Sequence, residues 1–360
     1  VRLGVLDVGS NTVHLLVVDA RRGGHPTPMS STKASLRLAE AIDDSGKLTR
    51  RGADRLVETV DEFARIATSS GCAELMAFAT SAVRDATNSD DVLARVLAET
   101  GVRLQVLSGV DESRLTFLAV RRWYGWSAGR IINIDIGGGS LELSNGVDEE
   151  PEVALSLPLG AGRLTREWLP DDPPGRRRVA MLRDWLADEV SDAGARVLDA
   201  GRPDLAVATS KTFRSLARLT GAAPSGAGPR VKRTLTATGL RQLIAFISRM
   251  TAADRAELEG VSAERAPQIV AGALVAEASM RALGIESVDI CPWALREGLI
   301  LRKLDSEADG SPFVGGADSR TGVGDSARLS GVDDLTAAQT PVRDAGRKAL
   351  SPTATKGNTR

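Results

Sequence analysis

Aromatic residues are scarce in this 360-residue chain, with one tyrosine, five tryptophans and six phenylalanines, and it has only two cysteines and two histidines. Cys72 and Cys291 have no C-x-x-C or Cys/His spacing around them, which argues against a disulfide framework or a zinc site; both read as reduced, structural thiols. No Ser or Cys has a visible His/Asp partnership, so covalent nucleophilic catalysis is not expected, and His14, in an alternating stretch, reads as a packed side chain. Charge of one sign is missing too. With a formal net charge of -1, the long-range field cannot attract a polyanion or a nucleic acid, and any anion site has to be local. No apolar run approaches the roughly 20 residues of a membrane span. The chain opens directly into a strand, Val1-Arg2-Leu3-Gly4-Val5-Leu6-Asp7, without the pattern of a secretory leader. These absences predict a soluble, cytoplasmic protein without membrane or nucleic-acid partners.

What is present is a chain long enough for two domains, each with its own core. Strands rich in glycine and β-branched residues alternate with amphipathic stretches, which predicts an α/β architecture with partly parallel sheets. Residues 52–67 and 177–198 are the clearest helices. After Leu304 the composition changes: residues 306–360 are rich in Gly, Ser, Thr, Ala and Asp, and Phe313 is their one aromatic. That stretch reads as a disordered tail.

An internal echo organises the rest. Val5-Leu6-Asp7-Val8-Gly9-Ser10-Asn11 and Asn133-Ile134-Asp135-Ile136-Gly137-Gly138-Gly139-Ser140 each lie between two apolar strands, with the aspartates 128 residues apart. Phe78-Ala79-Thr80-Ser81 with Arg84 is echoed by Val207-Ala208-Thr209-Ser210 with Arg214, and here the offset of the threonines is 129. Two motifs repeating in one order at nearly one offset, with long helices ending near Gly71 and Gly201, indicate a duplicated domain. An Asp at a strand end followed by a Gly/Ser turn aims backbone N–H groups and a hydroxyl at one point, a geometry suited to phosphate oxygens. Glycine lets the backbone approach closely, while the carboxylate beside it can hold Mg²⁺ or a metal-bound water. Asp7 and Asp135 fit that role. The bland alternative for either turn alone is a β-hairpin; two copies facing each other would clamp one phosphate.

These residues resemble the two phosphate loops of the exopolyphosphatase/guanosine pentaphosphate phosphohydrolase (Ppx/GppA) family, within the actin-like ATPase superfamily. Ser108-Gly109-Val110-Asp111-Glu112-Ser113-Arg114-Leu115 is similar to a further family segment, as are Leu157-Pro158-Leu159-Gly160 with Arg163-Leu164. Ala266-Pro267-Gln268-Ile269-Val270-Ala271-Gly272-Ala273-Leu274 and Leu295-Arg296-Glu297-Gly298-Leu299 resemble the closing ones. The resemblance covers residues 1–304 and leaves no room for the helical extension of the family's long members. It implies duplicated actin-like (ribonuclease H-like) α/β domains with an interdomain cleft. Domain I would hold residues 1–122 plus 295–305, domain II residues 123–294, and the tail residues 306–360, with a hinge between residues 121 and 129. Three departures stand out: Asp111-Glu112 replaces a Glu-Glu pair, Leu141 stands where Thr is usual, and Ala208-Thr209-Ser210 where Gly-Gly-Thr is common.

The implied activity is removal of terminal phosphate from inorganic polyphosphate. Such hydrolysis needs in-line attack by water, charge neutralisation and a positioned base. By matching position the base is Glu112, with Asp111 the fallback. Gly9, Ser10, Asn11, Gly137, Gly138, Gly139, Ser140, Thr209, Ser210 and Lys211 are the implied phosphate ligands, with Arg84 beside them. Asp7, Asp135 and Glu142 would hold Mg²⁺, with Mn²⁺ as an alternative. Arg214 reads equally as a helix-face residue, and Arg230, Lys232 and Arg233 as an extended cationic track or a solvated run. Trp123-Tyr124-Gly125-Trp126 reads as interdomain packing. The alternatives are hydrolysis of guanosine pentaphosphate (pppGpp), a non-catalytic sensor of (p)ppGpp or polyphosphate, and an actin-like kinase or chaperone, which Ala208-Thr209-Ser210 weakens. A guanosine alarmone as inhibitor and assembly into a homodimer are further expectations.

Overall fold

The computed structural model describes residues 1–309. Five strands, β1 (Arg2–Val8), β2 (Thr12–Asp19), β3 (Thr27–Ser35), β4 (Glu74–Ala79) and β5 (Gln105–Val106), form one sheet in the order β3-β2-β1-β4-β5. Six more, β6 (Ile131–Ile136), β7 (Leu141–Gly146), β8 (Val153–Leu157), β9 (Leu205–Thr209), β10 (Thr234–Thr236) and β11 (Ser287–Ile290), form a second in the order β8-β7-β6-β9-β11-β10. The first five places of the two orders match, with β11 in the place of β5 and β10 added antiparallel at the edge. Registers match as well: Asp7 lies opposite His14 on β2, and Asp135 opposite Glu142 on β7. The duplicated α/β fold expected from the sequence is the one found.

Among the described residues eleven α-helices accompany these strands: α1 (Arg50–Ser69), α2 (Ser81–Arg84), α3 (Ser89–Thr100), α4 (Gly109–Tyr124), α5 (Ala161–Trp168), α6 (Arg176–Leu198), α7 (Ser210–Leu219), α8 (Ala237–Ile247), α9 (Ala252–Ala256), α10 (Ile269–Ala282) and α11 (Leu295–Asp309). The Thr49 hydroxyl caps α1 by accepting from Gly52 N at 3.2 Å, and α1 and α6 contain the two helices read from the sequence. Among the described residues no helix is long and apolar enough to cross a membrane.

The central strands are covered on both faces, so they read as nearly continuous apolar runs. Along β1, Leu6 and Val8 join a core with Leu56, Val60 and Phe63 of α1, while Leu3 and Val5 join one with Leu299, Ile300 and Leu304 of α11. Alternation puts Asp7 on the α11 side. In the second sheet Ile132, Ile134 and Ile136 face α6 and α10, and Ile131 packs with Phe117 and Val120 of α4. Asp135 therefore shares the α4 side.

Helix α4 is common to both halves, because its Leu115 belongs to the core of the first sheet and its Phe117 and Val120 to that of the second. Where α11 crosses α4, a Cβ on Gly298 would lie 1.9 Å from the Leu115 carbonyl oxygen, so only glycine fits there. Arg121 is fully buried at the far end of α4 and donates to the carbonyls of Gly125, Gly129 and Gly146 at 3.1, 2.7 and 3.1 Å. Its guanidinium ties together the segment read as a hinge. Trp123 packs against Trp293 and His25, with ring centroids 5.3 and 6.0 Å apart, which is packing between elements of the two halves. The boundary drawn at residue 305 falls inside α11; from residue 310 the expected tail lies outside the described residues.

Candidate functional site

At the carboxyl ends of β1, β4, β6 and β9 the two halves enclose a cavity of ≈ 190 Å³, where open α/β sheets place ligands. Its walls are the β1–β2 turn with Asp7, Gly9, Ser10, Asn11 and Thr12, and the β6–β7 turn with Asp135, Gly137, Gly138, Ser140 and Glu142. Thr80 and Ser81 from the end of β4, Glu112 and Thr116 from α4, Ser210 and Lys211 from the start of α7, and Arg265 and Leu295 complete it.

The two turns are built alike. Gly9 N donates to Thr12 O at 3.0 Å, and Gly137 N to Ser140 O at 2.9 Å. Neighbouring segments occupy their carbonyls: Ser10 O accepts from Ala39 N, Gly137 O from Ala161 N and Gly138 O from Arg163 N, each at 3.0 Å. Within the first half the hydroxyls of Ser10 and Ser81 are hydrogen-bonded at 2.8 Å, and the second turn comes close to both, since a Cβ on Gly138 would lie 3.1 Å from Ser10 Cβ and one on Gly139 2.4 Å from Ser81 Oγ. Behind the second turn, a Cβ on Gly160 would lie 2.3 Å from the Gly139 backbone, which explains the glycine after Leu157-Pro158-Leu159.

Glu112 lies in the first turn of α4, and Thr116, one turn later on the same face, also lines the cavity. Asp111 points elsewhere. Ser108 caps α4 by accepting from Asp111 N at 3.1 Å, and its hydroxyl donates to the Asp111 carboxylate at 2.6 Å. Asp111, the fallback to Glu112 in the sequence reading, is absent from the cavity wall and is held by the helix cap Ser108. Burial, with smaller contributions from the charges of Asp7 and Asp135, pushes the Glu112 carboxyl up to about 8, against the charge and hydrogen bond of Arg84. Arg84, expected beside the phosphate ligands, lies behind Glu112. Instead of lining the cavity it donates to Glu112, and it also reaches Leu107 O at 3.0 Å and the Asp85 carboxylate at 3.2 Å.

The other three carboxylates are buried as well. Burial raises Asp135, opposed first by the hydrogen bond from Thr209 Oγ1 at 2.5 Å. Thr209 therefore acts on Asp135 and does not itself line the cavity. Burial also raises Asp7, opposed by the charge of Arg296. Glu142 is raised well above the carboxylate range by burial and then by the charges of Glu112 and Asp135, although Ser156 Oγ donates to it at 2.9 Å. Lys211 is lowered to about 8 by burial and by the neighbouring Arg265 charge. Ser210 has φ of 77°, a region glycine favours, and its buried Oγ has no hydrogen-bond partner.

Among the described residues, no three acidic, histidine or cysteine side chains are grouped closely enough to hold a metal ion by themselves. Of Arg230, Lys232 and Arg233, read either as a cationic track or as a solvated run, the last two are held by the protein itself. Arg233 donates to the carbonyls of Ala223, Val231, Pro224 and Gly228, and Lys232 pairs with Asp289 at 3.0 Å. Arg214 donates to Pro292 O at 2.9 Å. His14 is buried, with Nε2 at 2.7 Å from Ser31 Oγ and 3.2 Å from Arg296. Sequence reasoning missed Arg265, whose guanidinium lines the cavity and has no hydrogen-bond or ion-pair partner among the described residues. It also missed Arg163, which donates to Asp85 at 2.6 Å and to Gly139 O at 3.2 Å, tying α5 to the end of α2.

Residues 17–307 match the model of the Ppx/GppA phosphatase family. The chain belongs to that family. Over 313 residues it is 86% identical to Exopolyphosphatase 1 of Mycobacterium leprae, covering 87% of this chain and 92% of that protein. Over 322 residues it is 83% identical to Exopolyphosphatase 1 of Mycobacterium tuberculosis, covering 89% and 94%. The crystal structure of an exopolyphosphatase from Cytophaga hutchinsonii superposes with a TM-score of 0.76 at 24% identity, over 85% of this chain and 98% of that one. The Aquifex aeolicus family member gives 0.72 at 22% identity, over 85% and 98%. In this Ppx/GppA chain the two turns, Glu112 and the start of α7 occupy one cavity.

Proposed function

We propose that this chain is an exopolyphosphatase, hydrolysing the terminal phosphoanhydride of inorganic polyphosphate with water. The observation that carries the reading is Glu112, a buried carboxylate with its pKa at about 8, in one cavity with two Gly/Ser turns related by the internal duplication. The turns present backbone N–H groups and the Ser10 and Ser140 hydroxyls to the terminal phosphate. Glu112 takes a proton from the water as its oxygen bonds to the terminal phosphorus. The bridging P–O bond breaks, and its electrons stay on the shortened chain. Lys211 and Arg265 neutralise the charge left there.

The donor set also fits a divalent cation. Asp7, Glu112, Asp135 and Glu142 outnumber Lys211 and Arg265 on the cavity wall, and burial is the largest cause raising each of the four carboxyls. Such a wall repels a polyanion unless a cation enters with it. Mg²⁺ is commonly held by one or two carboxylates plus waters and phosphate oxygens, which suits a site without a three-carboxylate group. One or two of Asp7, Asp135 and Glu142, with waters and phosphate oxygens, would hold it, and it would supply charge neutralisation.

Phosphate release from long-chain polyphosphate, pppGpp and ATP, each with Mg²⁺, tests the reading in wild type and Glu112→Gln. Cleavage of polyphosphate that the substitution abolishes while binding persists supports it. Cleavage of pppGpp alone replaces it with the alarmone reading, and binding without cleavage replaces it with a sensor.

A further inference from the structure

We propose that Arg163 is a positioning residue for the base: through Asp85 and Arg84 it ties Glu112 to the second phosphate turn, although none of the three lines the cavity. The proposal rests on the exopolyphosphatase reading above, with Glu112 as the base. The contacts form one continuous chain. Arg163 is anchored on the β6–β7 turn, where its backbone N–H donates to Gly138 O at 3.0 Å and its Nε to Gly139 O at 3.2 Å. Its Nη2 donates to Asp85 Oδ2 at 2.6 Å, from the second half to the first. Asp85 Oδ1 accepts from Arg84 Nε at 3.2 Å, and Arg84 Nη1 donates to Leu107 O at 3.0 Å and to Glu112. The two guanidinium groups thus take different oxygens of one carboxylate.

Two features set this chain of contacts apart from incidental surface pairing. Adjacent residues on a helical turn point away from each other, and Asp85, directly after α2, has helical backbone angles, φ of -84° and ψ of -6°. Its carboxylate therefore does not face Arg84 by default, and the pull of Arg163 from the other half holds it there. The chain also joins the two groups whose separation the reaction depends on, the turn that presents N–H groups to the terminal phosphate and the carboxylate that takes the proton. A misplacement of about 1 Å between such groups can cost about 100-fold in rate. Arg84 has two anchors besides Glu112, Leu107 O on Nη1 and Asp85 on Nε, and together they fix the plane of its guanidinium. Without Arg163, Asp85 is free to turn to solvent and Arg84 keeps one anchor. With side chains 28% and 37% exposed, the Arg163–Asp85 pair contributes little to stability, so its loss appears in turnover.

Steady-state phosphate release from polyphosphate with Mg²⁺ by the full-length chain is the test, with Glu112→Gln measured beside the variants. Arg163→Met should lower kcat about tenfold and change KM less than about twofold, with Tm shifted by no more than about 3 °C. Arg163→Lys, which keeps a donor within reach of Asp85, should restore kcat to within about threefold of wild type. Asp85→Ala should lower kcat as Arg163→Met does. Because Arg163 acts through Asp85, adding Arg163→Met to Asp85→Ala should lower kcat no further. Wild-type kcat in Arg163→Met, or losses that multiply in the double variant, overturn the proposal. A loss carried by KM also overturns it and makes Arg163 a ligand of the substrate. Turnover retained by Glu112→Gln overturns the base itself, and with it the reading on which this proposal rests.

Discussion

Arg84 is hydrogen-bonded to Glu112, yet only Glu112 faces the cavity. The guanidinium therefore acts on the reaction through the carboxylate. Its charge and hydrogen bond hold Glu112 below the value that burial alone would impose. Because a general base works only when ionised, wild-type kcat should rise with pH through about 8. Removing the charge in Arg84→Gln should move that limb upward, so kcat at pH 7 falls about 10- to 100-fold, with the loss shrinking at higher pH. Arg84→Lys should retain part of the effect. A pH–rate profile checks this, and a uniform loss at every pH would show that Arg84 does something else.

The same carboxylate makes stability depend on pH. Its folded pKa lies above the ordinary glutamate value, so the folded state binds the proton more tightly than the unfolded state. The stabilisation is complete below the ordinary carboxylate range and is lost as pH rises to about 8. Glu112→Gln keeps the shape and removes the titration. Turnover should drop about 10²- to 10⁴-fold, while Tm at pH 9 exceeds that of wild type and the advantage disappears near pH 4. Thermal melts of the two proteins across that range decide it.

Much of this was legible beforehand because both turns are encoded locally. Asp7-Val8-Gly9-Ser10 and Asp135-Ile136-Gly137-Gly138 carry their own geometry, and the repeat offset pairs them. The choice between Asp111 and Glu112 was left open by the sequence, and only the structure shows the Ser108 hydroxyl holding Asp111 in the first turn of α4 while Glu112 faces the cavity. Arg84 was harder, since nothing near it in sequence reveals that Glu112, 28 residues later, stands between it and the cavity. Arg265 had no local pattern at all. It lies between α9 and α10, and only the tertiary fold brings it toward Asp135, whose charge acts on it. The sequence left Arg233 open, because its partners are carbonyls, which composition does not register.

Ser210 separates strain from chemistry. At φ of 77° a serine pays for a conformation that glycine adopts freely, about 1 kcal/mol. Ser210→Gly should therefore raise Tm, and Ser210→Ala should not, because alanine keeps the Cβ. If the unpartnered hydroxyl contributes to phosphate binding, both variants should raise KM by a similar factor. A rise in KM for alanine alone would point to backbone geometry, not the hydroxyl.

Lys211 adds a second pH dependence of opposite sign. Burial and the Arg265 charge bring its pKa down to about 8, so it is cationic below that pH and loses its charge above it. Attraction for a polyanion weakens accordingly, and KM for polyphosphate should rise as pH passes about 8 while the Glu112 limb is still lifting kcat. Lys211→Met should raise KM at pH 7 about tenfold and flatten its alkaline rise. Arg265→Met should also raise KM, but its removal relieves Lys211, so the remaining alkaline rise shifts to higher pH. Steady-state kinetics of the two variants between pH 6 and 10 distinguish these outcomes, because a purely structural role for either residue would lower activity without moving the pH at which KM changes.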